Sequence, residues 1–482
     1  MKKILSLSIA LFLVAMLAPT LSAQQLVSSG LLGTRTRAQL QAQFGFFIQN
    51  GIRMYRITYT TPDISGQPDT ASGLLVVPVR NTPSSYPLMC YQHGTVDSRT
   101  DVPSNLQGGW ELAAVFGGMG YVTAAPDFLG LGEARGFHPY VHAETEASAA
   151  VDMLFAVREF AEEDEDLVIN DQLFISGYSQ GGHAGMALHR SIEQDHSDQF
   201  TVTAAAHMSG PYSISGAMRD KILSDEPYYF AAYLPFTVLS YDLAYGLFDD
   251  IEQYFKQPYA DMIEQFYNED INLGDLNTML IDQLELEFGA SVTKNMFQDS
   301  ILQAVINDPN HPANVALRAN DVYEWAPVAP TRLYYCQADD QVTYRNSIIA
   351  DSVMSTVLGA LAVDAINVNP NADHGGCVQP AVTAAIFFFA NLQEITVGSN
   401  EVAAGPRPAL YPNPANENFQ VKNAPAGALV QLLTLDGRPV FEASVSGENQ
   451  SVALPANFQP GVYLAQIIWD NGFTVEKLVI GK

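Results

Sequence analysis

The chain has 482 residues, 48% of them hydrophobic, enough for one large domain with a sizeable core plus a smaller module. Its 23 Lys and Arg face 52 Asp and Glu, a formal charge of −29. That balance argues against nucleic acid or an anionic membrane as a partner, since both are polyanions, and a solubilising surface accounts for it.

The first residues are Met1-Lys2-Lys3, followed by an apolar run over 4–18 and the small pair Ser22-Ala23. A basic start, an apolar stretch and small residues predict a secretory signal peptide over 1–23, cut before Gln24. No later stretch is long and apolar enough to span a membrane. An exported chain meets an oxidising compartment, so a bridge among Cys90, Cys336 and Cys377 is open to it, with at least one thiol left over within a monomer.

Residues 26–395 read as one domain. Strand-like runs occur at 53–59, 73–77, 87–91 and 121–125, and further on at 172–176, 202–206, 332–336 and 365–368. A helical pattern covers 147–160. Early hairpin strands followed by strand–helix alternation predict an α/β fold with a mostly parallel, doubly wound sheet. Between the strands near 206 and 332 lies an acidic, aromatic, helix-rich insertion, about 213–326. It is expected to be a cap over an apolar pocket, with most of its aromatics forming its own core. Glycine, asparagine and proline mark a linker at 396–408. The tail, 409–482, alternates in short strands between turns, the pattern of a small antiparallel β-sandwich.

The chemistry centres on Gly177-Tyr178-Ser179-Gln180-Gly181. An apolar strand precedes this G-x-S-x-G run and a helical pattern follows it, the context of a nucleophile elbow. A serine hydroxyl is a weak nucleophile and needs a histidine base, which needs a carboxylate to fix its tautomer. In the order serine, acid, histidine, the acid belongs just past the strand at 332–336, where both Asp339 and Asp340 qualify. His374 is the only histidine beyond them, expected on a loop before a helix from about 378. An oxyanion site needs two backbone N–H groups. Gln180, at the start of the helix after the serine, supplies one. The loop Gln92-His93-Gly94-Thr95 supplies the other from Thr95, with Gly94 as the alternative. His93 itself and Asp127 read as structural. No histidine–cysteine or histidine–glutamate cluster has metal spacing, so no metal or organic cofactor is expected.

Several segments resemble α/β-hydrolases of the secretory lipase type. They are Tyr91-Gln92-His93-Gly94-Thr95, Ala125-Pro126-Asp127-Phe128-Leu129-Gly130-Leu131-Gly132, His138-Pro139-Tyr140, the serine pentapeptide with Gly182-His183, and Ser209-Gly210-Pro211-Tyr212. Two positions depart from that pattern: Cys336 stands for the glycine before the acid, and Thr343 for the proline after Val342. The family's acid turn, Ala-Asp-x-x-Val, matches Asp339, so the resemblance implies Ser179, His374 and Asp339 as the catalytic set. It implies a secreted lipase or esterase acting on small-molecule or lipid esters. A serine peptidase on the same fold and a non-catalytic surface binding protein are the alternatives. Cys336 and Cys377 flank the acid and the base and are a candidate disulfide pair, against two buried thiols.

The tail resembles the C-terminal sorting domain of the type IX secretion system through Leu410-Tyr411-Pro412-Asn413-Pro414-Ala415-Asn416, Leu435-Asp436-Gly437-Arg438, Gly461-Val462-Tyr463 and Lys477-Leu478-Val479-Ile480. This resemblance implies the secretion machinery as a partner. It also implies export through the periplasm to the medium or the cell surface.

Overall fold

The computed structural model describes residues 25–45, 47–80, 84–397, 408–434, 437–445, 447, 449–469 and 472–481. The expected signal peptide, most of the expected linker and the pair Leu435-Asp436 lie outside the described residues.

The large domain is built on one sheet. Its strands are β1 (Leu26–Arg35), β2 (Gly51–Pro62), β3 (Pro68–Val79), β4 (Ser84–Gln92), β5 (Val122–Pro126), β6 (Val168–Tyr178), β7 (Thr201–Met208), β8 (Thr331–Tyr335) and β9 (Val363–Asn367). They lie in the order β1-β2-β3-β5-β4-β6-β7-β8-β9. The β1–β2, β2–β3 and β3–β5 pairs are antiparallel, and every pairing from β5 to β9 is parallel. Burial follows this division. β2 alternates buried and half-exposed positions, whereas the last seven residues of β4 and the last six of β6 are all buried. A strand covered by helices on both faces must be apolar on both.

Helix α1 (Arg37–Phe44) joins β1 to β2, and α2 (Trp110–Met119) joins β4 to β5. α3 (Ala143–Glu163) precedes β6 and α4 (Gln180–Asp195) follows it. On one face, Met153, Leu154 and Val157 of α3 pack with Leu188 and Ile192 of α4. On the other, Phe116 of α2 packs with Ala385 and Phe389 near the end of the domain. Each such Leu, Val or Phe contributes roughly 1.5–3 kcal/mol by leaving water.

The chain departs from the sheet after β7 and returns at β8. The intervening cap holds α5 (Arg219–Ile222), α6 (Tyr233–Tyr245), α7 (Tyr259–Tyr267), α8 (Leu273–Phe288), α9 (Asp299–Asn307) and α10 (Pro312–Ala319). α8 buries Leu273, Leu276, Leu280 and Leu284, an i, i+3/i+4 stripe. This stripe joins Phe255, Tyr259 and Ile263 in a core belonging to the cap. Of the cap aromatics, Tyr241, Tyr254 and Phe266 are in that core, whereas Tyr229, Tyr245 and Tyr267 are exposed.

α11 (Arg345–Asp351) lies between β8 and β9, and α12 (His374–Ala390) closes the domain. The linker expected from 396 begins later, because Thr396 and Val397 form β10 and pair antiparallel with Ser85 and Ser84 of β4. The tail is a small β-sandwich. One sheet has β11 (Ala409–Tyr411), β12 (Asn418–Lys422) and β15 (Gln450–Ala453); the other has β14 (Pro439–Val445), β13 (Ala428–Leu433), β16 (Gly461–Trp469) and β17 (Gly472–Ile480), all antiparallel. Phe419, Val430, Leu432, Ile467 and Leu478 fill the space between them.

Candidate active site

β6 ends at Tyr178 and α4 begins at Gln180, so Ser179 alone makes the turn. Its backbone sits at φ 61°, ψ −124°, a conformation that costs a non-glycine residue roughly 1–3 kcal/mol and survives only when its surroundings enforce it. The Ser179 N–H donates to the Met208 carbonyl at 2.9 Å, and the Gly182 N–H donates to the Ser179 carbonyl at 2.8 Å. A Cβ on Gly177 would strike the Gly181 carbonyl, and one on Gly181 would strike the Gln92 carbonyl. β4, β6 and α4 therefore meet backbone to backbone, and this leaves glycine as the residue that fits at both places.

His374 Nε2 lies 2.9 Å from Ser179 Oγ, and His374 Nδ1 lies 2.8 Å from Asp339 Oδ2. A proton on Nδ1 donated to the carboxylate leaves Nε2 free to accept from the serine hydroxyl, the tautomer a general base requires. His374 does not stand on a loop as expected: it is the first residue of α12. Asp373 starts the helix there by accepting the Gly376 N–H at 2.7 Å, an N-cap that offsets the two glycines behind the histidine.

The two aspartates divide the work. Asp339 holds the ring, and its other oxygen accepts the N–H groups of Gln341 and Val342 at 3.0 and 2.8 Å. Asp340 Oδ1 instead accepts the backbone N–H of His374 at 3.1 Å. The Tyr178 hydroxyl donates to the His374 carbonyl at 2.6 Å, and burial pushes this phenol well above its ordinary range, so it remains a donor. Cys336 and Cys377 are joined, with sulfurs 2.10 Å apart and Cα atoms 5.8 Å apart. The bond fastens the chain just after β8 to the first turn of α12. Cys90 is free and buried.

Thr95 and Gln180 each present a backbone N–H with no partner among the described residues. The Gln180 amide is the first of α4, where the helix dipole favours negative charge. Gly94 lies against the serine: a Cβ there would sit 3.7 Å from Ser179 Cβ and 3.2 Å from the Tyr178 carbonyl. The Thr95 hydroxyl meets the Tyr140 hydroxyl at 3.1 Å. His93 is buried, with Nδ1 2.7 Å from the Gly94 carbonyl and its ring 4.3 Å from that of Phe128, and burial lowers its pKa. Asp127 is also buried; it accepts from the Ser72 hydroxyl at 2.6 Å and the Ser104 N–H at 3.0 Å. Both residues brace loops around the serine.

Above Ser179 and Gln180 opens a cavity of about 960 Å³, counting the space open to solvent. Its walls come from the cap, including Ile214, Met218, Leu223, Leu234, Val238 and Leu317. Among the described residues, no group of three or more His, Cys, Asp or Glu side chains could hold a metal ion. The sequence reading passed over Glu146, which lies beneath the elbow at 1% exposure. Its signal was present: it shares the buried stripe of α3 with Ala150, Met153 and Val157, and a carboxylate on such a stripe needs partners.

The solved structures bear on this architecture. A cell wall degrading esterase, LipA, from Xanthomonas oryzae superposes with a TM-score of 0.66 at 26% identity, covering 76% of this chain and 95% of the esterase. A protein from Legionella pneumophila, described as a candidate hydrolase, superposes with a TM-score of 0.69 at 25% identity over 76% and 98% of the two chains. The large domain is an α/β-hydrolase. Lipase A from Candida antarctica, in its closed state, shares the hydrolase fold at 14% identity, with a TM-score of 0.56 over 76% of this chain and 81% of the lipase. Residues 409–481 of the hydrolase match the secretion system C-terminal sorting domain, which marks a secreted or cell-surface protein and implies the type IX machinery as its partner. No curated protein sequence matches the hydrolase.

Proposed function

We propose that the chain is a secreted serine hydrolase that cleaves carboxylic esters, lipid esters among them, through an acyl-enzyme on Ser179. The reading rests on one observation: the hydrogen-bonded line Asp339–His374–Ser179 ends at the floor of an apolar pocket. Ser179 Oγ attacks the ester carbonyl carbon as its proton passes to His374 Nε2, and Asp339 stabilises the imidazolium. The carbonyl oxygen becomes an oxyanion, held by the Gln180 and Thr95 amides. His374 then returns the proton to the departing alkoxide, which leaves as an alcohol. Water enters, His374 takes its proton, and hydroxide attacks the acyl carbon, releasing a carboxylic acid and restoring Ser179. The apolar cap walls favour an aliphatic acyl group over a peptide. In the same reading, 1–23 directs the chain to the periplasm and the sorting domain carries it across the outer membrane.

Hydrolysis of p-nitrophenyl esters over a series of acyl lengths tests the reading. Ser179→Ala should lower kcat on the order of 10⁶-fold, with an unchanged melting midpoint. A wild-type protein inert across the series, or a Ser179→Ala protein that retains turnover, would refute it.

A further inference from the structure

Beneath the nucleophile elbow lies a buried polar cluster that the ester chemistry does not consume. Glu146 is 1% exposed, His183 0%, Gln180 1%, Asn320 1% and His138 5%. Groups this deep are tolerated when their hydrogen bonds are complete, and here the bonds form a continuous chain. Gln180 Nε2 donates to Glu146 Oε1 at 3.0 Å and to His138 Nε2 at 2.8 Å. His138 donates its Nδ1 proton to the Leu129 carbonyl at 2.7 Å, which leaves Nε2 as the acceptor. Burial pushes its pKa down to about 3, so the ring stays neutral. Glu146 Oε2 lies 2.7 Å from His183 Nδ1, and His183 Nε2 lies 2.9 Å from the Asn320 carbonyl.

The proton count follows from the chemistry of the partners. A backbone carbonyl only accepts, so His183 carries a proton on Nε2. One more proton lies between His183 Nδ1 and Glu146 Oε2, and the pair is neutral overall whichever atom holds it. Asn320 continues the chain outward: its side-chain oxygen accepts the Ala143 N–H at the start of α3, and its amide donates to the Tyr245 hydroxyl of the cap.

Gln180 follows a serine held in a strained conformation, and its own backbone N–H begins α4 without a helical partner. Nothing within the helix fixes that amide, whereas both hydrogens of its side-chain NH2 are engaged. We propose that Glu146 is a positioning residue: through the Gln180 side chain it sets the Gln180 backbone N–H toward the developing oxyanion and ties that donor to the cap at Asn320. The proposal rests on the serine-hydrolase reading above.

Three variants test it: Glu146→Leu, Gln180→Leu and Glu146→Gln. The two leucine variants should lower kcat roughly ten- to a hundredfold, the scale of a misplaced catalytic group. KM should stay within about twofold, because the interaction is made in the transition state. Affinity for an alkyl boronic acid, a mimic of the tetrahedral intermediate, should fall by the same factor as kcat/KM. The shape of the pH–rate profile should not change. Glu146→Gln should recover most of the loss: its amide can donate to Nδ1 of a neutral His183 while its oxygen still accepts from Gln180. Leucine variants that keep kcat within about twofold of wild type, or a Glu146→Gln as impaired as Glu146→Leu, would overturn the proposal. If Glu146→Leu does not fold, Gln180→Leu and Glu146→Gln decide the matter. A wild-type protein that neither turns over esters nor labels at Ser179 with a fluorophosphonate fails the serine-hydrolase reading itself and takes this proposal with it. A wild type that labels, beside leucine variants at full turnover, fails the positioning alone.

Discussion

The sheet and the cap meet at Ser179, yet they are built under different constraints. On the sheet side, Gly177 and Gly181 admit no Cβ, Ser179 is held at positive φ, and His374 is held by contacts to its ring, its N–H and its carbonyl. The cap has its own leucine-rich core and gives the pocket mostly smooth aliphatic walls. The sheet side fixes positions to within a hydrogen bond, whereas the cap side fixes a shape. Chemistry should therefore be sensitive to single atoms below the serine, and selectivity to volume above it.

The sharpest test of that contrast lies below the serine. Asp339→Asn puts an amide against His374 Nδ1 and favours the wrong tautomer, so kcat should fall on the order of 10⁴-fold. Asp340→Asn still presents an oxygen to the His374 N–H and should cost roughly tenfold or less. Equal losses in steady-state kinetics would erase the distinction between the two aspartates. Next comes Gly181→Ala, whose new methyl meets the Gln92 carbonyl. Overpacking of this kind should lower the unfolding free energy by about 3 kcal/mol, read by urea denaturation, and a neutral result would mean that the elbow can relax.

Above the serine the effects should be smaller and selective. Val238→Trp should lower the long-chain to short-chain ratio of kcat/KM by roughly tenfold. Short-ester turnover should be preserved, and a uniform loss across acyl lengths would contradict a wall that only shapes the pocket. The last test concerns the seam between cap and sheet. His138 and His142 face cap aromatics, with rings 5.9 Å from Phe236 and 5.6 Å from Tyr245, and burial lowers them to about 3 and about 4. Their folded values lie below the unfolded value near 6.5, so the stability they contribute is complete above that pH. It is lost as pH falls toward 4, at up to about 1.4 kcal/mol per pH unit for each ring. His207 in β7, also lowered by burial, adds to the same trend. Urea midpoints should drop between pH 7 and 5, and a flat profile would place protonated rings within the fold.

Much of the sheet side was legible in the sequence because its constraints are local. The pentapeptide, its apolar strand and its following helix name the elbow, and the order of acid and base narrows the partners to a few residues. Sequence alone left Asp339 and Asp340 open, since adjacent carboxylates on one turn differ only in where they point. One reaches the ring of His374 and the other its backbone. The start of α12 was misplaced because two glycines and Pro380 mask a helix that Asp373 caps. Glu146 was missed for another reason: its partners are 34 and 37 residues away in the chain, on α4. The stripe of α3 marks Glu146 as buried, but a contact between two helices on one face of the sheet leaves no period that names its partners.

The place where the cap enters has a consequence of its own. The chain leaves at the end of β7 and comes back at β8, its immediate parallel neighbour, with Met208 beside Tyr334. The strands are parallel, so the insertion leaves at the carboxyl end of β7 and returns to the amino end of β8, where Thr331 lies beside Ala205, roughly 10 Å back along the sheet. A crossover of about a dozen residues meets that need, and length beyond it leaves the register of the sheet intact. The length and texture of this one excursion can therefore change without moving the strands that carry the reacting atoms. The same geometry makes residues 214–319 the natural segment to exchange when a different ester is wanted.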